Sequence, residues 1–192
     1  MNPFPYTFDN KRYHTLAYHN RVQNCKTQKA VIDAGLSCPN IDGTCGVGGC
    51  IFCDGGSGYF TQDKAFSVTE QLQAEKVRIH KKSPESKIIA YFQTHTNAPV
   101  EKLRTLYEEA LAFGVYGVSI ATRPDCIGKG VLSLLKELNG KTHLTVELGL
   151  QSSNDETAAR IHRGYKYEVF REIFLRLREN NIRVCVHIID GL

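Results

Sequence analysis

No apolar run in this chain approaches the eighteen or so residues that a membrane-spanning helix needs. The N-terminus, MNPFPYTFDNKRYHTL, also lacks the apolar core of a secretory signal. Together these absences favour a cytoplasmic protein with no membrane partner. A strong charge of one sign is missing too: 24 basic residues against 20 acidic ones leave +4. That excludes a chain built to coat nucleic acid, while still permitting a polyanionic partner. Nor is the cysteine count even. Seven cysteines in a reducing compartment speak for metal or redox chemistry rather than a disulfide framework. With 192 residues and 42% hydrophobic content, the chain is long enough for one well-cored domain and short for two.

What is present concentrates in residues 34–60, AGLSCPNIDGTCGVGGCIFCDGGSGYF. This stretch holds Cys38, Cys45, Cys50 and Cys53 together with eight glycines, and no apolar period runs through it. Such a segment cannot bury a core of its own, so its order must come from elsewhere. Thiolates closing on a metal would supply it.

Around this loop the apolar pattern is regular. Strands are expected at Ala30–Ala34, Lys87–Gln93, Gly117–Thr122, Thr142–Gln151 and Arg183–Ile189. Ser67 and Glu70 form a capping box opening a helix through Val68, Leu72, Val77 and Ile79 that ends near Lys82. Pro99 opens a second helix, stopped by Gly114. Further helices are expected over 130–138, from Asn154, and over 167–180. Alternating strands and helices predict an α/β fold with a parallel sheet. Five strands are too few for a complete eight-fold barrel, and the last apolar run ends three residues before the C-terminus. Because a parallel sheet wants both faces covered, the chain is expected to be truncated after strand five. Residues 1–28, aromatic and polar without period, read as an N-terminal extension, and 29–192 as the core domain.

In parallel α/β folds, ligands sit at the carboxyl ends of strands. Cys38, Gln93, Thr94, Asn97, Thr122, Arg123, Asp125, Gln151, Ser152 and Asp190 all fall there. The Cys50–Cys53 pair has chelating spacing. Spacing alone leaves three readings open: an iron–sulfur cluster, a four-thiolate zinc site that includes Cys45, and a redox dithiol. Cys25, Cys126 and Cys185 lack sequence partners and are expected to be small buried apolar groups.

A cysteine followed by C-x-aromatic-C (Cys50, Phe52, Cys53), directly after the first strand of a βα array, resembles the radical S-adenosylmethionine (SAM) superfamily. Ala121-Thr122-Arg123-Pro124-Asp125 is similar to a motif of the elongator catalytic-subunit group. Glu147-Leu148-Gly149-Leu150-Gln151-Ser152 resembles one shared by that group and the coproporphyrinogen dehydrogenases. CPNIDGT and GGCIFC are most similar to the YtqA/YhcC-type family. The resemblance covers residues 29–192. It implies a partial (βα)6 TIM-like barrel and a 4Fe–4S cluster on Cys38, Cys50 and Cys53. The fourth iron would be left open for the amino and carboxylate groups of S-adenosyl-L-methionine. Reductive cleavage there would give a 5′-deoxyadenosyl radical, in an oxidoreductase-type enzyme served by an external flavodoxin- or ferredoxin-type electron donor.

By the same resemblance, Phe52 would shield the cluster. Gln93, Thr94, Thr122, Arg123, Glu147, Gln151, Arg163 and His187 would line the SAM site, with Arg163 pairing the methionine carboxylate and His187 facing the ribose. Catalytic residues toward the substrate are unknown. The glycine-rich motif after strand two is absent, and Gln93–Asn97 stand in its place. Ala121 replaces the glutamate of the elongator motif, and Glu147 is expected to supply that carboxylate. Family neighbours imply tRNA, at the wobble uridine, as substrate, with the basic run Lys76–Lys82 available to phosphates. The reading from a different class is a non-catalytic zinc-binding interaction module.

Overall fold

The computed structural model describes residues 11–53, 63–93 and 95–192. A short helix α1 (Leu16–Val22) precedes β1 (Thr27–Ile32), α2 (Val68–His80), β2 (Lys87–Phe92) and α3 (Val100–Ala112). Then follow β3 (Gly117–Thr122), a 3-10 turn (Pro124–Cys126), α4 (Lys129–Lys141), β4 (His143–Gln151), α5 (Asp155–Arg160), α6 (Tyr167–Glu179) and β5 (Arg183–Ile188). The five strands form one sheet, all parallel, in the order β1-β2-β3-β4-β5. Spatial order that repeats chain order belongs to a barrel-like arc; a doubly wound sheet reverses its order at a switch point. The fold is therefore the expected partial TIM-like barrel.

Alternation along the strands divides the arc into two chemistries. One face carries Ala30, Ile32, Ala90, Phe92, Val118, Ile120, Leu144, Val146 and Leu148, all buried against helix residues such as Leu72, Leu103, Leu135 and Leu177. The opposite face carries Lys29, Tyr91, Ser119, Glu147, Cys185 and His187, which bond to one another. Apolar burial thus holds the helices to the outside, and polar groups are left to the concave side.

The Ser67–Glu70 capping box forms as expected, and Gly114 ends α3 at φ +83°, a conformation costly for other residues. Val77 departs from expectation, being 62% exposed. The buried stripe of α2 is Val68, Gln71, Leu72, Glu75 and Ile79. Two of these are polar because β1 is an edge strand with unpaired N–H groups. Val31 N–H donates to Glu75 (3.4 Å) and Asp33 N–H to Gln71 (3.0 Å).

Three other expectations change. α1 lies inside the stretch read as aperiodic; it buries no residue, so no apolar face announced it. β1 begins at Thr27, two residues before the expected core boundary. Cys185 is exposed rather than buried, because β5 is the other edge of the arc. Within the basic run, Arg78 forks onto Glu75 at 2.7 and 3.0 Å, and Lys76 lies over Phe113. Among the described residues, no helix is long and apolar enough to cross a membrane.

If the outer face carries the stability, Leu144→Ala at the centre of the sheet costs about 2–5 kcal/mol in urea denaturation. The same truncation at exposed Val77 stays within about 0.5 kcal/mol.

Candidate active site

The cysteine loop leaves β1 and is stapled to the segment after β2. Ser37 and Asn97 exchange backbone hydrogen bonds of 3.4 and 3.0 Å. Asp42 gathers the loop further. It accepts from the Ser37 hydroxyl, from Thr44 N–H (2.9 Å) and Oγ1 (2.6 Å), and from Asn97 Nδ2 (3.1 Å). These donors, Ser37 first, hold its carboxyl well below the usual range. The Cys38 carbonyl accepts Ile41 and Asp42 N–H at 2.9 Å each, and Cys53 N–H returns to the Cys50 carbonyl at 2.9 Å. Much of the loop's order is therefore local Asx and turn geometry.

Cys38, Cys50, Phe52 and Cys53 line one cleft of about 200 Å³ at the carboxyl ends of the strands. Gln93, Thr122, Arg123, Glu147, Gln151, Arg163 and His187 line the same cleft. Thr94 lies outside the described residues. Cys45, the thiol a zinc site would need as its fourth ligand, is exposed and does not line the cleft. Cys126 does line it, with burial pushing its thiol up to about 12. Among the described residues no three His, Cys, Asp or Glu side chains converge tightly enough for a single ion. A cluster asks for a wider spread, because each thiolate meets a different iron. Burial pushes the Cys38 and Cys50 thiols up. Hydrogen bonds from Asn40 and the Arg123 charge oppose it. Three thiols at one cleft mouth, two of them offered N–H donors, fit a cluster held by three cysteines.

Behind the thiols, two arginines organise the loops. Arg123 forks onto Asp125 at 2.9 and 2.6 Å and donates to the Arg163 carbonyl at 2.9 Å. Both guanidiniums lie over the Tyr165 ring, 4.9 and 4.5 Å from its centroid. Arg163, expected at a substrate-like carboxylate, is 1% exposed. It donates to the main-chain carbonyls of Leu150 and Ser152 at 2.5 Å and of Tyr165 at 2.9 and 3.1 Å. Those bonds lock the turns flanking α5 and leave this side chain mainly a strut. Tyr165 donates to the Gly149 carbonyl (2.8 Å) and to Gln151 Oε1 (3.4 Å). Gln151 itself sits at φ +56°, where the β4–β5 register shifts. A left-handed non-glycine residue at a strand's carboxyl end is the kind of strain that collects at functional sites. Thr122 bonds its hydroxyl to Thr96, from the segment that replaces the missing glycine motif.

On the concave face Glu147, 4% exposed, accepts from Lys29, from Ser119 and from His187 Nε2 (2.9 Å). Tyr91 bonds to it as well. Glu147 is the register neighbour of Ala121 on one side and Cys185 on the other. It therefore stands beside the position where the elongator motif carries its glutamate. Burial alone would raise the Glu147 carboxyl, but the bonds from His187, Lys29 and Ser119 outweigh it and hold it at about 2. Hydrogen bonds to Cys185 and Glu147 raise His187 to about 9.

An arc of parallel strands whose carboxyl ends carry a three-thiol cleft defines a class, and sequence comparison gives the same one. The profile of the Radical SAM superfamily matches residues 42–192, taking in Cys50 and Cys53 and starting just past Cys38. The chain belongs to that superfamily, whose members use S-adenosylmethionine and a 4Fe–4S cluster. Among individual relatives it is 48% identical to YtqA of Bacillus subtilis over 196 residues, covering 100% of this chain and 61% of that one. It is 36% identical to YhcC of Escherichia coli over 171 residues, covering 87% and 54%. The chain thus spans little more than half to three fifths of their lengths. Among solved structures, the apo cobalamin-dependent S-adenosylmethionine radical enzyme OxsB aligns over 73% of this chain and 22% of its own, at 16% identity and a TM-score of 0.49.

The Glu147 network sets a pH dependence. The raised His187 stabilises the fold fully below its ordinary 6.5, and that contribution is lost as pH rises through about 9. The depressed Glu147 contributes above its ordinary 4.5, and that contribution is lost as pH falls toward 2. NMR titration of the His187 imidazole should give a midpoint near 9. Glu147→Gln should bring it back toward 6.5.

Proposed function

We propose that Cys38, Cys50 and Cys53 hold the 4Fe–4S cluster and that the adjoining cleft takes S-adenosyl-L-methionine, making this chain the core of a radical SAM enzyme. The observation that carries the reading is the single cleft in which these three thiols meet Gln93, Thr122, Arg123, Glu147 and Gln151, while Cys45 is left outside. The pair of cofactors supplies reductive cleavage of the sulfonium to methionine and a 5′-deoxyadenosyl group that takes a hydrogen atom from substrate. The protein's part is to bind and orient. Three protein ligands leave one coordination position free, whereas a fourth at Cys45 would close it. Gln151, held by Tyr165, offers both donor and acceptor to the cofactor. Phe52, 43% exposed at the mouth, covers the cluster side. His187, charged at neutral pH with its ring bonded to Glu147 and Cys185, lines the cleft on the ribose side. Arg163 acts through the turns it ties. We assign the catalytic core to the chain from β1, which begins at Thr27, to residue 192, and the residues before it to an extension.

For the wider reaction we propose a cytoplasmic enzyme that modifies tRNA at the wobble uridine. A flavodoxin- or ferredoxin-type protein would deliver its electrons. A net charge of +4 and the exposed Lys81 and Lys82, just past the end of α2, suit a polyanionic substrate.

Anaerobic reconstitution tests the cofactor assignment. Wild-type protein should bind about four irons per chain. Cys38→Ala, Cys50→Ala and Cys53→Ala should each lose them, and Cys45→Ser should keep them. Colourless protein holding one tight zinc would sink the reading in favour of an interaction module. For the substrate, reduced protein supplied with S-adenosylmethionine should release 5′-deoxyadenosine faster when unmodified tRNA is added. A rate indifferent to tRNA would remove tRNA from the account.

A further inference from the structure

Between the first two cleft thiols in sequence stands Asn40, a residue with no counterpart in the three-cysteine pattern. It is 5% exposed, and its side-chain NH2, its carbonyl and its backbone N–H are all used. Its side-chain Nδ2 lies 2.6 Å from the His162 carbonyl and 3.5 Å from Cys50 Sγ. Its own carbonyl accepts Gly49 N–H at 2.8 Å, and its backbone N–H reaches the Cys38 sulfur. One residue therefore touches both thiols and the turn between α5 and α6.

The orientation of the amide is fixed rather than arbitrary. A carbonyl only accepts, so the end of Asn40 facing His162 must be the NH2 group. Its second hydrogen is then directed to Cys50. The oxygen end is packed where glycine alone leaves room. A Cβ on Gly46 would meet Oδ1 at 2.6 Å, and one on Gly164 at 2.9 Å. His162, the acceptor, is itself at φ +55°, which turns its carbonyl toward the cysteine loop. A second strut runs parallel: Ile51 N–H donates to the Ile161 carbonyl at 3.1 Å. Gly46, Gly164 and His162 thus agree on one amide position.

We infer that Asn40 is a positioning residue that tunes the cluster through an N–H···S bond to Cys50. The proposal rests on the three-cysteine assignment above. A donor to a ligand sulfur withdraws charge and favours the reduced, more negative cluster, so hydrogen bonds to the sulfurs help set its reduction potential. Removing the donor should make the cluster harder to reduce. The same amide links the cluster loop to the turn that carries Arg163, so the two sides of the cleft are set by one side chain.

The test is anaerobic redox titration of reconstituted protein, followed by its paramagnetic signal, on wild type, Asn40→Ala and Gly46→Ala. Gly46→Ala displaces the amide without deleting it, at a position whose backbone is not left-handed. At the wild-type midpoint, the reduced-to-oxidised ratio should fall about threefold to tenfold in both variants, the range expected for one lost hydrogen bond. Iron content should be retained. Cys45→Ser should leave the ratio unchanged. Wild-type ratios in both variants at full iron content would overturn the inference alone. If Asn40→Ala holds no iron, Gly46→Ala decides: a lowered ratio supports the inference and an unchanged one overturns it. Wild-type protein that takes up no cluster would overturn the three-cysteine assignment, and the inference with it.

Discussion

Burial of one face of a parallel sheet governs the rest of this structure. Strand residues alternate sides, so when Ala30, Phe92, Ile120, Leu144 and Val146 go under the helices, their neighbours must face the hollow of the arc. Those neighbours are Lys29, Tyr91, Ser119 and Glu147, which would be costly to bury apart. They satisfy one another instead, with a single carboxylate at the centre. Sequential parallel order also brings all five carboxyl ends to one rim, where the cysteine loop and the polar strand ends meet. The hydrophobic core thereby determines where polar chemistry can occur.

Glu147 shows how the two demands are reconciled. Desolvation works against its charge, yet donors from three other strands, β1, β3 and β5, hold it ionised. A carboxylate so heavily bonded gains rigidity and gives up freedom to titrate. The arginines behind the cleft follow the same logic. Their donors are turned inward onto carbonyls and Asp125, so they fix loop geometry in place of meeting solvent.

The fold was largely legible in the sequence because its strands are apolar runs separated by well-marked helices. β3 begins and ends where its pattern does, and the Ser67–Glu70 box marks the start of α2. Val77 misled because the edge position of β1 places Gln71 and Glu75 on the buried stripe, a requirement no periodicity reveals. α1 was invisible for the opposite reason, having no buried face at all. At the site, the cysteines and strand-end polar residues announced themselves by spacing and position. Asn40 and Tyr165 did not, because their partners His162 and Gly149 come together only in three dimensions. Asp42 had a local signal, the Asx turn onto Thr44, which hydrophobic patterning does not read. Arg163 was recognised as a site residue, but the direction of its donors depends on carbonyls that sequence cannot orient.

The central claim is that three thiols hold a cluster with one iron left open to S-adenosylmethionine. The most direct measurement is the paramagnetic signal of the dithionite-reduced, reconstituted protein, recorded with and without S-adenosylmethionine. The account predicts an iron–sulfur signal that changes shape when the cofactor is added, in wild type and in Cys45→Ser alike. A signal indifferent to the cofactor, or no iron-dependent signal at all, would contradict it.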